Sequence, residues 1–111
     1  MVHSSLSSLG TVEGGAETVM EALLQALGNE GTLVVPTFTD EVVARYNGFV
    51  FDVSNTPSYV GAITEAALVR PDALRSHHPW HSVSAIGPMA DDLTHNKIDS
   101  PWRPGSPMSQ I

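Results

Sequence analysis

The order strand, turn, helix, strand near the N-terminus predicts an α/β fold with a βαβ core and loops. Residues 16–27 carry Ala16, Val19, Leu23, Leu24 and Leu27 at helical spacing, and Gly28 is placed to stop the helix. "GTLVVPT" follows, with a short, wholly apolar, β-branched run from Thr32 to Val35 that Pro36 closes. Such a run is the pattern of a parallel strand covered on both faces. Before the helix, Val2 to Leu6 reads as the last residues of a buried strand entering a polar, Gly-rich turn from Ser7 to Gly15. A length of 111 residues is enough for one small domain with its own core.

The later elements extend this pattern. Residues Phe38 to Asn55 are less regular and read as a long loop or hairpin, with Asn47-Gly48 as a turn signal. Ser58 is placed to cap a helix running to about Val69, with Val60, Ile63 and Ala67 on one side and Pro71 beyond its end. "HSVSAIG" predicts a strand from Ser82 to Ile86, and "PMADDLT" a short helix from Pro88. The tail "DSPWRPGSPMSQI" holds three of the 8 prolines and has no clear period. There is no internal repeat and no low-complexity tract.

Composition narrows the function classes. The net charge is -7, from 5 Lys and Arg against 12 Asp and Glu. A nucleic-acid partner is therefore not expected, because no basic face is available to displace counterions from phosphates. An acidic surface instead concentrates cationic ligands, or simply keeps the domain soluble. No apolar run approaches a bilayer span, and no basic-then-apolar leader opens the chain, so no membrane partner is expected. The absence of cysteine rules out thiol chemistry and fits a cytoplasmic setting.

Three clusters carry candidate chemistry. The first is "VHSSLSSLG". Strand ends of open α/β sheets face the ligand crevice, a turn there offers N–H groups, and the next helix adds its positive end. Ser4, Ser5, Ser7 and Ser8 add hydroxyls, so the segment suits a phosphate, with a polar turn capped by serines as the alternative. The second is "RSHHPWHS", with His77, His78 and His81. It matches no metal-ligand spacing, so no metal is expected; the imidazoles suit either a base or a Pro-fixed turn. The third is acidic, with Asp40, Glu41, Asp52 and, on a helix, Glu65. These carboxylates suit a polyamine or are solvated loop charge. Trp80, Tyr59 and Phe51 are equally placed as loop anchors and as ligand contacts.

In this order, "VHSSL…GG", "GTLVVPT", "TPS…GAITEA", "RS-x-HP-x-HS" and "GSP" closely resemble the aminoglycoside 3-N-acetyltransferase family over nearly all 111 residues. The resemblance implies that family's own α/β fold, of which residues 1–111 read as the N-terminal portion of a single domain. It implies transfer of an acetyl group from acetyl-coenzyme A to the 3-amino group of a 2-deoxystreptamine antibiotic. It implies no metal, and it says nothing of oligomeric state. It places coenzyme against "HSSL" and "TPS": His3, Ser4, Ser5 and Leu6, then Thr56 and Ser58. Asp52 and its loop are the candidate contact for the cationic sugar. Similar proteins carry a helix and most of a strand before "VHSSL", and a catalytic His with an orienting Glu in a later N-T-S-x-H-x-x-E stretch. That pair is expected beyond Ile111, since "THNKID" at His95 lacks the motif, so these residues alone are expected to turn over negligibly. An inactive coenzyme-binding fragment and a transferase for a different small amine are the alternatives.

Overall fold

The apolar run predicted to be a covered strand forms β1, Leu33–Pro36, with all four residues buried. The structure is a computed structural model that describes residues 1–46, 48–95, 100 and 102–111. A 3-10 turn at Leu6–Leu9 precedes α1, Gly15–Leu27. After β1 come α2 (Glu41–Ala44), α3 (Ala62–Leu68), β2 (Leu74–Arg75), β3 (Val83–Ile86), α4 (Ala90–Thr94) and α5 (Pro107–Gln110).

The strands form one sheet in the order β1-β3-β2. Both pairs are antiparallel, with Leu33 opposite Ile86 and Val35 opposite Ser84 on one side of β3, and Leu74 opposite Ala85 on the other. The parallel direction expected for β1 is not observed between these strands. The apolar run reported burial on both faces, and burial does not encode direction. Leu33, Val35 and Ile86 pack with Met20 of α1 and Ile63 and Ala67 of α3. On the opposite face Val34, Val83 and Ala85 pack with Ala90 and Leu93 of α4, and Met108 of α5 adds to them. The period of two along β1 thus feeds two helix layers.

Val2 to Leu6 forms no strand. Val2 N–H donates to Val34 O at 2.8 Å, which lays the N-terminal segment along β1, and the chain then turns into the 3-10 helix.

The helix expected over 16–27 is present, and Gly28 closes it with its N–H on Leu24 O. Met20, fully buried, completes the stripe on its inner face, whereas Leu27 is exposed. The helix expected from Ser58 starts later, at Ala62 with Gly61 as its N-cap. Ser58 still belongs to this start: its N–H donates to the Glu65 carboxylate, and its hydroxyl pairs with Thr64 Oγ1 at 2.9 Å. This is the reciprocal logic of a capping box, displaced three residues upstream. Arg70, after α3, bonds Glu17 and Glu21 of α1 at 2.6 Å each and Asp72 at 3.0 Å. It joins the two helices and holds the Asp72 carboxyl below the usual carboxylate range.

The strand from Ser82 and the helix from Pro88 are found as Val83–Ile86 and Ala90–Thr94. Within the loop predicted over 38–55, Asp40 Oδ1 caps α2 by accepting from Val42 N at 2.7 Å. Asn47 of the expected Asn47-Gly48 turn lies outside the described residues. So do Asp99 and Pro101 of the tail, in which Ser106 caps α5 and Pro107 begins it.

Candidate functional site

Two cavities gather most of the candidate residues, and they divide them differently from the sequence reading. The first, of about 470 Å³, is lined by Ser4 to Ser7 and Gly10 on one side and by Val60 to Ala62 on the other. The 3-10 turn curls the serines together: Ser5 Oγ lies 3.1 Å from Ser7 Oγ and accepts from Ser8 Oγ at 3.0 Å. The Ser4 hydroxyl is shielded from solvent and has no hydrogen-bond partner. Ser4 also lines this cavity, and a buried hydroxyl without a partner is suited to a ligand's acceptor or donor. Leu6 lines the same cavity and also packs on the core. His3 is exposed and lines neither cavity, and no residue of α1 lines the serine cavity, so the helix end expected behind the turn is not part of it.

The second cavity, of about 510 Å³, lies between the start of α2 and the 49–59 segment. Its lining includes Thr39, Asp40, Asp52, Thr56, Ser58 and Tyr59, with Val43, Phe49 and Val50 as an apolar wall. Thr56 and Ser58 therefore share a space with Asp52 and not with the serine turn. Asp52 heads an Asx turn, in which Oδ1 accepts from Ser54 N at 2.8 Å and Asn55 N at 3.1 Å, and Oδ2 from Asn55 Nδ2 at 2.8 Å. The Asn55 amide, and after it the Ser54 N–H, hold the Asp52 carboxyl below the usual range, so it is charged at neutral pH. Asp40 keeps Oδ2 outside its capping bonds. Thr39, 8% exposed, has a buried Oγ1 with no partner. Among the described residues no Lys or Arg lines this cavity. Two carboxylates, an unpaired hydroxyl and the exposed Tyr59 ring make it suited to an ammonium-bearing, hydroxylated ligand. Glu41 pairs with Arg45 and Glu65 with the Ser58 amide, and neither lines the cavity.

The histidines do not converge on either cavity. His78 Nδ1 accepts from His81 N at 2.9 Å and Trp80 N at 3.2 Å, the Pro-fixed turn that was the alternative for this cluster. Burial, and then the neighbouring His81, push the His78 imidazole below its ordinary pKa. His81 stacks edge-on against Phe38 at 5.2 Å, and its Nδ1 is buried without a partner. His77 is exposed, with its ring against Phe51. His95 Nδ1 lies 3.5 Å from Asp91 in a largely exposed pair, which with His77 borders a third hollow beside β2. Among the described residues no three His, Cys, Asp or Glu side chains gather as a metal site. No described helix is long and apolar enough to cross a membrane.

Sequence reasoning passed over a polar knot at the strand ends. Ser82 Oγ donates to Thr37 O at 2.7 Å and lies 3.1 Å from Thr37 Oγ1, with both residues fully buried. Arg75 joins this knot to the 53–56 turn beside the acidic cavity. Serine and threonine flanking an apolar strand were the available signal; the carbonyls that Arg75 uses leave none.

Known proteins resemble this chain in sequence and in fold. Aminoglycoside N(3)-acetyltransferase III of Serratia marcescens is 35% identical over 127 residues, covering 100% of this chain and 47% of the relative. The solved structure of AAC-IIIb, a binary complex with CoASH, superposes with a TM-score of 0.85 at 25% identity, over 99% of this chain and 47% of that one. A mutant of aminoglycoside acetyltransferase AAC(3)-IVa in complex with a gentamicin superposes with a TM-score of 0.81 at 31% identity, over 95% and 39%. The chain thus spans about half the length of the curated relative it matches. The sequence model described as aminoglycoside 3-N-acetyltransferase matches residues 1–111, the same span over which the serine turn, the layered sheet and the acidic loop are laid out, and the chain belongs to that family.

Proposed function

We propose that the full-length protein carrying this chain transfers an acetyl group from acetyl-coenzyme A to the 3-amino group of an aminoglycoside, and that residues 1–111 are the N-terminal portion of its single catalytic domain. The observation that carries the reading is the acidic cavity, lined by Asp40 and Asp52 and, among the described residues, by no Lys or Arg, in a chain of this family. An aminoglycoside is a polycation bearing hydroxyls, which matches that lining chemically. The serine cavity, with the orphaned Ser4 hydroxyl, is suited to coenzyme. A cytoplasmic setting accords with a sequence that has no cysteine.

In the reaction the amine, protonated near neutral pH, must lose a proton before it attacks the thioester. No imidazole lines either cavity, so the base is assigned to the family's His–Glu pair outside these residues. The contribution of this chain is placement. Asp40 and Asp52 attract and orient the cationic acceptor, while Ser4, Ser5 and Leu6 seat the coenzyme. His3, being exposed, is assigned to the mouth of that site, and Thr56 and Ser58 to the wall between the two ligands.

Asp52→Asn tests the acceptor half of this reading. The substitution keeps an oxygen to accept from the Ser54 and Asn55 N–H groups, gives up the bond from the Asn55 side chain, and removes an exposed charge. The Michaelis constant for gentamicin or kanamycin, followed by thiol release, is expected to rise about two- to fivefold at low salt and less at high salt. Equal constants for variant and parent at low salt would assign Asp52 to the turn alone.

A further inference from the structure

Arg75 ends the two-residue strand β2, on the edge of the sheet, and turns inward. Its Nε donates to Ser82 Oγ at 3.0 Å and its Nη2 to Thr37 O at 2.8 Å. Its Nη1 donates to Thr56 O and, at 3.4 Å, to Val53 O. The guanidinium lies 4.9 Å from the centre of the Phe51 ring. Every hydrogen-bond partner is neutral: three carbonyls and one hydroxyl. Burial lowers the Arg75 pKa, with Glu65 acting the other way, and no described carboxylate lies in ion-pair contact with it. A cation used this way is a geometric brace.

The brace spans three segments: Thr37 just after β1, Ser82 just before β3, and the turn at Val53 to Thr56. That turn is a closed unit. Asp52 N donates to Thr56 Oγ1 at 2.9 Å, and Thr56 N donates to Asp52 O at 2.9 Å. Fixing the Thr56 carbonyl therefore fixes the Asp52 backbone, and with it the origin of the Asp52 side chain.

We propose that Arg75 is a positioning residue for the acidic cavity: by holding the Val53 and Thr56 carbonyls against the buried strand ends, it sets where the Asp52 carboxylate stands relative to Asp40 and Thr39, and so how tightly the cationic acceptor is bound. The identity of that ligand rests on the function proposed above; the brace itself does not. Lysine carries charge but not the planar fork of donors, so it cannot reach Ser82, Thr37 and Thr56 together.

Arg75→Lys and Arg75→Met, made in the full-length protein, test this. In both variants, hydrogen exchange at the Asp52 and Thr56 amides is expected to accelerate about tenfold or more, with Met20 and Val35 amides unchanged. The Michaelis constant for the aminoglycoside is expected to rise about two- to fivefold at low salt, no more than in Asp52→Asn, with kcat and the constant for acetyl-coenzyme A within about twofold. In an Asp52→Asn background, Arg75→Lys should add little further to that constant, since the two residues act through one contact. Unchanged exchange at Asp52 and Thr56 overturns the brace. Faster exchange with an unchanged aminoglycoside constant, or a fall in kcat together with faster exchange throughout the core, overturns its role in positioning. If the parent acetylates no aminoglycoside, the proposed function fails, and the exchange at Asp52 and Thr56 still decides whether Arg75 holds the turn.

Discussion

Gly87→Ala is expected to destabilise the protein by about 2–5 kcal/mol, the sum of backbone strain and overpacking. Gly87 directly follows β3 at φ 127°, a conformation that L side chains rarely adopt. A Cβ built there would lie 2.4 Å from Gly31 O and 2.8 Å from Thr32 Cα. Both atoms belong to the backbone entering β1, so no rotamer change relieves the contact. Nearby, Met89 N–H donates to Thr32 Oγ1 at 3.0 Å, holding the same two segments together. Gly10→Ala is the control: Gly10 has φ 75°, but a Cβ added there would meet nothing within 4 Å, so only strain of about 1–2 kcal/mol is expected. Denaturant unfolding of both variants measures the difference. Equal losses would mean that the approach of Gly87 to Thr32 relaxes at little cost.

Ser4→Ala is expected to weaken coenzyme A binding by about tenfold or more, because a hydrogen bond to a charged group contributes about 1.5–3 kcal/mol and each 1.4 kcal/mol is tenfold. The structure separates the two central serines. Ser5 Oγ already joins Ser7 and Ser8, whereas Ser4 Oγ is buried and unpartnered. Ser5→Ala should therefore cost less than Ser4→Ala, and the double variant little more than Ser4→Ala alone. Calorimetry on the full-length protein with coenzyme A, dephospho-coenzyme A and pantetheine locates the contact. If pantetheine loses as much affinity as coenzyme A, the serines shape the turn and do not hold phosphate.

Residues that repeat with a period were legible in the sequence, and residues that act singly were not. Ala16, Val19, Leu23 and Leu24 marked α1 because a long helix leaves several turns of evidence, and Gly28 marked its end. The apolar run Leu33–Val35 marked a doubly covered strand, but direction is set by which strand lies alongside it, and β3 arrives some fifty residues later. α2 and α5, with four residues each, are too short to show a helical period, and neither was expected; their caps, Asp40 and Ser106, are seen only in the structure. β2 has two residues and no alternation to read. Within the candidate site, Asp52 stood out through its charge, but the Asx turn that holds it was not read, because its bonds are local to a segment with no period. Arg75 did not stand out, because its partners are main-chain carbonyls contributed by distant residues.

The most direct measurement is the position of the acetyl group on the product. Full-length protein carrying this chain is incubated with acetyl-coenzyme A and gentamicin, and the product is mapped by NMR while thiol release is followed. The account predicts a single monoacetylated antibiotic, modified on the 3-amino nitrogen, with one thiol released for each acetyl group transferred. Acetylation of a different amine, or thiol release without an acetylated antibiotic, would contradict it.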